Sequence, residues 1–134
     1  MKLQPDRVDG VNVITAIEAG RVRVNAQPYG ASLLVPWRGD ALHWDCADFS
    51  RLDSVHFERI LAFAPELVIF GSGARLRFPP ASLLRPLIAR GIGVETMDTA
   101  AACRTYNVLA AEGREVVAAL LIESPAEGPA TPAE

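Results

Sequence analysis

The first half of the chain alternates apolar and polar residues, as half-buried strands do. Residues 11–18 (VNVITAIE) and 21–24 (RVRV) flank a turn that contains Gly20, and together they predict a β-hairpin with one buried face. The triplet Pro-Tyr-Gly at 28–30 is expected to be a turn. It precedes a third predicted strand at 31–35. This half of the chain is therefore expected to be rich in β-hairpin structure.

The second half replaces this alternation with helical periodicity and continuous apolar runs. Apolar residues recur at helical spacing after Asp53, whereas the run at 67–70 (LVIF) is typical of a strand buried on both faces. Pro86 is expected to kink its helix or to delay the start of that helix. The predicted order is a helix from Asp53 to about Pro65, a strand at 67–70, a helix at 81–90, a strand at 92–97, a helix from Asp98 or Thr99 to about Ala111, and a strand at 115–122. This order predicts an α/β fold with one mixed sheet, a Rossmann-like β-α-β-α-β second half and a hairpin-rich first half.

Length and charge divide the chain into two parts. The 134 residues suit one domain, and half of them are apolar. The net charge of −3 is carried by Glu123, Glu127 and Glu134, because the rest of the chain has equal numbers of acidic and basic residues. We therefore expect a single α/β domain at 1–122 and a disordered, acidic, Pro/Ala-rich tail at 123–134.

A neutral domain excludes some classes of partner. It has no basic field to attract nucleic acid or anionic lipid, and no apolar run in the sequence is long enough to insert into a membrane. The polar start of the chain lacks the pattern of a signal peptide, and two cysteines do not indicate a disulfide scaffold. We expect a cytoplasmic protein that binds no nucleic acid. The sequence does not decide its oligomeric state.

Gly71, Ser72 and Gly73 follow the predicted strand at 67–70, where open α/β sheets bind ligands. The segment is not a dinucleotide fingerprint, because Leu76 stands where a further glycine is needed, and it lacks the Gly-Lys-Ser/Thr of a phosphate-binding loop. Two interpretations remain. The segment is either a tight turn that needs a positive φ or a loop that lines a ligand site.

The helix that begins near Thr99 is the second candidate region. Its free N–H groups and its dipole suit an anion. At 3.6 residues per turn, one broad face of this helix carries Thr99, Cys103, Tyr106 and Asn107. Arg104 projects elsewhere. This face is either a polar pocket shared with the loop at 71–73 or a packing face with structural hydrogen bonds.

Catalysis by Cys103 would require a base beside it, and neither His43 nor His56 lies in a recognised motif. His43 and Cys46 supply too few ligands for a metal site. We therefore expect no catalytic residues, no metal and no cofactor. The residues favour a protein that is not an enzyme.

Residues 98–114 (DTAAACRTYNVLAAEGR) combine many residue types at fixed spacing. They resemble the signature of an uncharacterised domain family of the DUF498 type. Further matches to the same pattern are the Tyr29-Gly30 turn before 32–35, the strand ending in Gly71-Ser72-Gly73, residues 94–97 and the strand at 116–122. The family includes the mitochondrial complex I assembly factor 3 beside bacterial and archaeal proteins of unknown function. The resemblance covers roughly residues 10–122, implies a compact three-layer α/β fold and lends no catalytic residues.

Two functions follow from these observations. The first is a non-enzymatic binding or assembly module, which the resemblance implies. Exposed aromatic residues such as Tyr29, Trp37 or Phe78 would form its protein-binding patch. The alternative is a binder of an anionic small molecule or nucleotide, or a small enzyme, that uses the Gly71–Gly73 loop and the start of the Thr99 helix.

Overall fold

The computed structural model describes residues 10–18 and 20–123, which form two sheets and several short helices. The first sheet is antiparallel and contains β1 (Ile14–Glu18), β2 (Arg21–Val24) and β3 (Gln27–Tyr29) in that order. The second sheet has the order β5-β4-β8-β6-β7 and contains β4 (Leu33–Pro36), β5 (Leu42–His43), β6 (Leu67–Gly71), β7 (Gly93–Met97) and β8 (Val116–Leu120). The α-helices are α1 (Ser54–Glu58), α2 (Arg85–Ile88) and α3 (Thr99–Ala111), and 3-10 segments lie at Phe49–Arg51, Arg59–Phe63 and Ala81–Leu84.

The second half of the chain forms the parallel part of the larger sheet. β6 pairs in parallel with both β7 and β8, and the connections between these strands run through α2 and then through α3. β4 pairs antiparallel with β8 and with β5, which makes the sheet mixed. The predicted mixed sheet with a Rossmann-like second half is confirmed.

The five-stranded sheet is the middle one of three layers. One face of it packs against α3 and the three-stranded sheet, through a core that includes Val22, Ile69 and Tyr106. The other face packs against α1, α2 and the adjoining 3-10 segments, through a core that includes Phe57 and Phe70. The inner strands β4, β6 and β8 are apolar throughout because both of their faces are covered. The compact three-layer α/β fold is therefore confirmed.

The expected turn at 28–30 is wrong, since Pro28 and Tyr29 belong to β3. β3 pairs with β2, and the chain reverses at Asn25, whose φ is +56°. Pro28 is tolerated because β3 lies at the edge of its sheet, where a missing N–H removes no bond that the sheet needs. The first half therefore builds a separate three-stranded sheet before β4 and β5 extend the larger one.

The predicted helices of the middle segment are shorter and less regular than their periodicity indicates. The helix from Asp53 is α-helical only as far as Glu58 and continues as a 3-10 segment. The segment predicted as a helix at 81–90 begins as a 3-10 turn, and Pro86 lies in the first turn of α2. Pro86 has no N–H and is accepted there, so the late helix start is confirmed.

Glu123 is held in the folded structure, although the charge pattern places it at the start of the expected tail. Both oxygens of its carboxylate accept from Arg77, at 2.8 and 2.9 Å. The N–H of Phe49 donates to the same carboxylate at 2.9 Å. The remainder of that expected tail, 124–134, lies outside the described residues.

Candidate functional site

The first turn of α3 uses its own side chains to bond its free backbone groups. The Asp98 carboxylate accepts from the N–H of Ala101 at 2.8 Å, as an N-cap residue does. The N–H of Thr99 donates to the carbonyl of Gly73 at 2.9 Å, and the N–H of Ala102 donates to the carbonyl of Asp98 at 2.9 Å. A carboxylate of the chain thus already lies where an external anion would bind.

The Thr99 hydroxyl joins the start of α3 to two neighbouring segments. It donates to the carbonyl of Leu121 at 2.8 Å and accepts from the N–H of Gly73 at 2.9 Å. Both bonds are buried. Thr99 therefore holds the helix, the loop after β6 and the end of β8 in one arrangement.

The glycines of the loop after β6 are required by close approach. A Cβ on Gly71 would lie 2.9 Å from the Cα of Thr99, where backbone would have to move. Gly73 has a φ of +106°, and a Cβ on it would lie 2.5 Å from the Arg77 guanidinium and 2.6 Å from the Glu123 carboxylate. The requirement for a positive φ at Gly73 agrees with the tight-turn interpretation of this segment.

Ser72 is engaged in the local turn. Its hydroxyl donates to the carbonyl of Arg75 at 2.7 Å and accepts from the N–H of Arg77 at 3.0 Å. The side chain is fully buried. It contributes to the shape of the loop and does not line the cleft described below.

Tyr106 and Asn107 attach α3 to the first half of the chain. The Tyr106 hydroxyl donates toward the carbonyls of Asn12 and Pro36, at 3.1 and 3.0 Å. The Asn107 side-chain amide accepts from the N–H of Ile14 and donates to the carbonyl of Ile14, both at 2.8 Å. These two predicted site residues therefore make the bonds of a packing face.

Cys103 lies on the buried face of α3, whereas the next residue, Arg104, is exposed. Cys103 is buried, and burial raises the pKa of its thiol to about 12 although Arg104 lowers the pKa slightly. A thiol with such a pKa is protonated at neutral pH and is a poor nucleophile. Arg104 is exposed. Within 10–18 and 20–123, no group of three or more His, Cys, Asp or Glu side chains is placed to hold a metal ion.

A cleft of about 330 Å³ lies between the β1–β2 hairpin and the start of α3. Of the residues predicted for the site, Gly73 and Thr99 line this cleft. Its apolar wall consists of Ile17, Val22, Leu121 and Ile122. Its charged groups are Glu18, Arg21, Asp98 and Glu123. The structure thus brings the Gly73 loop and the helix start together at a cleft, but Ser72, Cys103, Arg104, Tyr106 and Asn107 do not line it.

An ion pair that no sequence pattern indicates lies beside this cleft. Arg77 pairs with Glu123, donates to the carbonyl of Ser72 at 2.7 Å and stacks over Phe49, with its guanidinium carbon 4.7 Å from the ring centroid. Because Arg77 and Glu123 lie far apart in the chain and belong to no motif, nothing in the sequence pairs them. Only the fold brings them together.

Four exposed apolar side chains lie on α1, on α2 and on the segment between β6 and the 3-10 turn at Ala81–Leu84. Phe78 is 69% exposed, Ile88 57%, and Val55 and Leu76 each 51%. α1 contacts both α2 and the 3-10 turn that follows Phe78. Of the three aromatic residues proposed as a patch, Phe78 is strongly exposed, whereas Tyr29 and Trp37 are half-buried.

The fold and this region are those of an α/β domain family of unknown function. Comparison with known proteins identifies that family. A family model described as protein of unknown function DUF498/DUF598 matches residues 14–121. The chain belongs to this family. The resemblance in residues 98–114 and the fold that it implies are thereby confirmed.

Two of the relatives that the chain matches carry descriptive names. The 13 kDa major membrane protein of Francisella tularensis is 27% identical over 117 residues, which cover 87% of this chain and 95% of the relative. The NADH dehydrogenase (ubiquinone) 1 alpha subcomplex assembly factor 3 of Bos taurus is 33% identical over 95 residues, which cover 69% of this chain and 50% of the relative. The match thus spans about half the length of the bovine assembly factor.

A solved structure supports the fold at higher identity. The crystal structure of a Bordetella parapertussis protein matches with a TM-score of 0.81 and 35% sequence identity, covering 87% of this chain and 99% of that chain. No helix in the described part of the chain is both long and apolar enough to cross a membrane.

Proposed function

We propose that this protein is a non-enzymatic binding module that acts in the assembly of a multi-subunit protein complex. The family supports this proposal, because one relative is named as an assembly factor for the mitochondrial NADH dehydrogenase. This chain spans only about half of that relative. Respiratory complex I is therefore the first complex to test and not itself a conclusion.

The observation that carries the proposal is a set of exposed apolar side chains on α1, on α2 and on the segment that leads to the 3-10 turn beside α1, which we call the outer apolar layer: Val55, Leu76, Phe78 and Ile88. Large apolar side chains that are more than half exposed on neighbouring elements are typical of a surface that a partner covers. Phe78 is the strongest anchor, because aromatic side chains contribute most to binding energy at protein interfaces.

The bonding of the polar residues supports a role without catalysis. Thr99, Tyr106 and Asn107 are each used in hydrogen bonds that hold the layers together. Burial raises the pKa values of the Cys103 and Tyr106 side chains, so both remain protonated at neutral pH. A thiol or phenol that stays protonated at neutral pH is a poor nucleophile and a poor general base.

A crosslinking experiment tests this function. A photo-crosslinking amino acid at position 78, in cells of the source organism, is expected to capture a subunit of a multi-subunit complex. The same amino acid at Val108, which is 57% exposed on α3, serves as the matched control. Equal crosslinking from both positions, or products confined to unassembled abundant proteins, would contradict the proposal.

The cleft beside α3 supports a second candidate function, the binding of a small molecule. Its volume of about 330 Å³ suits a small ligand. The charged groups around it are Glu18, Asp98 and Glu123 against Arg21, so a neutral or cationic ligand fits better than an anion or a nucleotide.

A matched ligand pair tests this second candidate. Hexylamine and hexanoate have the same apolar chain and opposite charges. Binding in the cleft predicts amide NMR shifts in β1, β2 and the start of α3 with hexylamine, and smaller shifts with hexanoate. The absence of shifts with both compounds would remove this candidate and leave the assembly function untouched.

We also propose that the protein acts in the cytoplasm. The neutral charge of the chain outside the acidic residues at 123–134 supports this location. Fractionation of cells of the source organism tests it, and recovery in the membrane fraction after a high-salt wash would contradict it. That outcome would agree with the name of the Francisella relative.

A further inference from the structure

Four strands lie at sheet edges in the described part of the chain, and three of these edges carry a visible obstacle to further pairing. β5 is only two residues long. β3 contains Pro28, which has no N–H to offer another strand. β1 has an irregular register between Ile14 and Ala16, and the Asn107 side chain bonds both backbone groups of Ile14. Each device is one that proteins use to block edge-to-edge association.

β7 forms the fourth edge, and among the described residues it has none of these devices. It has five residues in unbroken parallel register with β6 and contains no proline. Its faces contact α2 and α3. A regular edge strand of this length is the kind of surface to which another strand adds.

The backbone direction of β7 shows which groups are free. The N–H of Ser72 donates to the carbonyl of Met97 at 2.8 Å, so the backbone groups of Met97 face β6. Because these groups alternate in direction along a strand, those of Glu95 also face β6. Val94 and Thr96 therefore turn their N–H and C=O groups to the open edge.

Charge selects the kind of strand that fits this edge. Glu95, in the middle of β7, is exposed. If two copies of the chain paired antiparallel through β7, the two Glu95 side chains would lie directly opposite or diagonal to each other, within about 8 Å. Like charges at those positions are unfavourable, whereas a lysine or arginine opposite Glu95 is favourable.

We propose that the free edge of β7 receives an extended segment of a partner protein as a sixth strand, with a basic side chain paired to Glu95. This inference rests on the proposed assembly function and names the binding mode and the chemistry of the partner segment. Main-chain hydrogen bonds to Val94 and Thr96 supply the affinity, and Glu95 supplies the selectivity.

Hydrogen exchange on the full chain tests whether the edge is open. The amides of Val94 and Thr96 are expected to exchange much faster than those of Glu95 and Met97, whose N–H groups face β6. Equal protection of all four amides overturns the proposal. If deletion of 1–9 or 124–134 removes that protection, the occupant of the edge is the chain itself.

Synthetic peptides test the partner chemistry. The probes are acetyl-Thr-Val-Lys-Val-Thr-amide and the same peptide with glutamate in place of lysine. The lysine peptide is expected to bind with a dissociation constant on the order of 1 mM, about tenfold tighter than the glutamate peptide, with amide shifts confined to β7 and its neighbours. Glu95→Lys is expected to reverse this preference, and because Glu95 is exposed the substitution leaves the fold intact.

The backbone requirement has its own control. Thr96→Pro removes an outward N–H and is expected to abolish binding of the lysine peptide, whereas Thr96→Ser keeps that N–H and the binding.

The proposal is overturned if the preference does not reverse with Glu95→Lys, or if neither peptide shifts the amide signals of β7. It is also overturned if sedimentation shows a wild-type dimer that Thr96→Pro dissociates, because the occupant is then a second copy. Crosslinking from position 78 is independent of these results, so failure here leaves the assembly function standing.

Discussion

The two layers that cover the five-stranded sheet both pack through apolar cores, but they differ in the contacts that supplement this packing. On one face, α3 bonds to three distant segments: Thr99 donates to Leu121 after β8, Tyr106 to Pro36 in β4, and Asn107 to Ile14 in β1. On the other face, the short helices pack on an aromatic cluster in which the rings of Trp44 and Phe57 both contact Phe70, at centroid distances of 6.1 and 5.5 Å. Directional bonds thus supplement apolar packing on the first face, and contacts between aromatic rings supplement it on the second.

This difference explains where each layer is free to interact. Hydrogen bonds in the α3 layer define one geometry and engage Thr99, Tyr106 and Asn107. Packing of apolar side chains needs less exact geometry. On the opposite side the helices are short, with Ile88 exposed on α2 and Phe78 exposed on the segment before the 3-10 turn at Ala81–Leu84. The layer with the most distinctive sequence is therefore the one that hydrogen bonds fix in place, and the layer with the plainer sequence carries the exposed apolar side chains that we propose bind a partner.

Removing an aromatic ring from the second layer is expected to have the largest effect on stability. Phe57 is fully buried, so Phe57→Ala is expected to lower the free energy of unfolding by about 4 kcal/mol, through lost burial and the cavity left behind. Val55→Ala in the same helix is the control, because Val55 is half exposed, and it is expected to cost less than about 0.5 kcal/mol. Urea unfolding measures both, and similar losses for the two variants would show that the aromatic cluster does not dominate this face.

Removing the Thr99 hydroxyl breaks the polar attachment of the first layer. Thr99→Val leaves the N–H of Gly73 and the carbonyl of Leu121 buried without this partner, and is expected to cost about 3 kcal/mol. Thr99→Ser retains the hydroxyl and is expected to cost about 1 kcal/mol for the lost methyl group. If thermal unfolding ranks the two variants equally, the hydroxyl bonds are not what holds this layer.

Asn107 provides a smaller test of the same attachment. Asn107→Ala removes two hydrogen bonds to Ile14 and is expected to cost about 2 kcal/mol. Arg104→Ala, on the exposed side of the same helix, is expected to change the free energy of unfolding by less than about 0.5 kcal/mol. An unchanged stability of Asn107→Ala together with loss of a bound ligand or partner would instead make Asn107 a binding residue.

The buried thiols predict a modest dependence of stability on pH. Burial raises the pKa of Cys103 from its ordinary value of 9.0 to about 12 and that of Cys46 to about 11. Above about pH 9 the unfolded chain loses thiol protons that the folded chain retains, so stability falls as pH rises through this range. Melting temperatures between about pH 8 and pH 10 are expected to fall less steeply in Cys103→Ala and in Cys46→Ala than in the wild type, by similar amounts. Rapid alkylation of native Cys103 at about pH 8 would contradict this assignment.

Local patterns predicted the elements that depend on local chemistry. The continuous apolar run beginning at Leu67 forms β6, and α3 begins at Thr99 after its Asp98 cap, as the sequence indicates. Pro86 delays its helix as expected. The strand at Gln27–Tyr29 was missed, because the acceptability of a proline there depends on the strand lying at a sheet edge.

The candidate site was predicted only in part, because most of its side chains bond to residues that are far away in the chain. Gly73 and Thr99 do meet at a cleft, as strand-end geometry suggests. Tyr106 and Asn107 find their partners in the first residues of the domain, and Arg77 finds Glu123. These partners are far apart in the chain, so no local pattern encodes the pairing.

The sequence by itself determined the fold class, the family and the position of the main helix of this protein. The fold class and the helix position follow from periodicity and capping, which act between residues close in the chain. The family follows from the resemblance carried mainly by residues 98–114. The tertiary structure alone decided that the polar face of α3 is an attachment, that apolar side chains are exposed on the opposite layer, and that β7 is an open edge. Those properties depend on which surfaces remain uncovered once distant segments pack together.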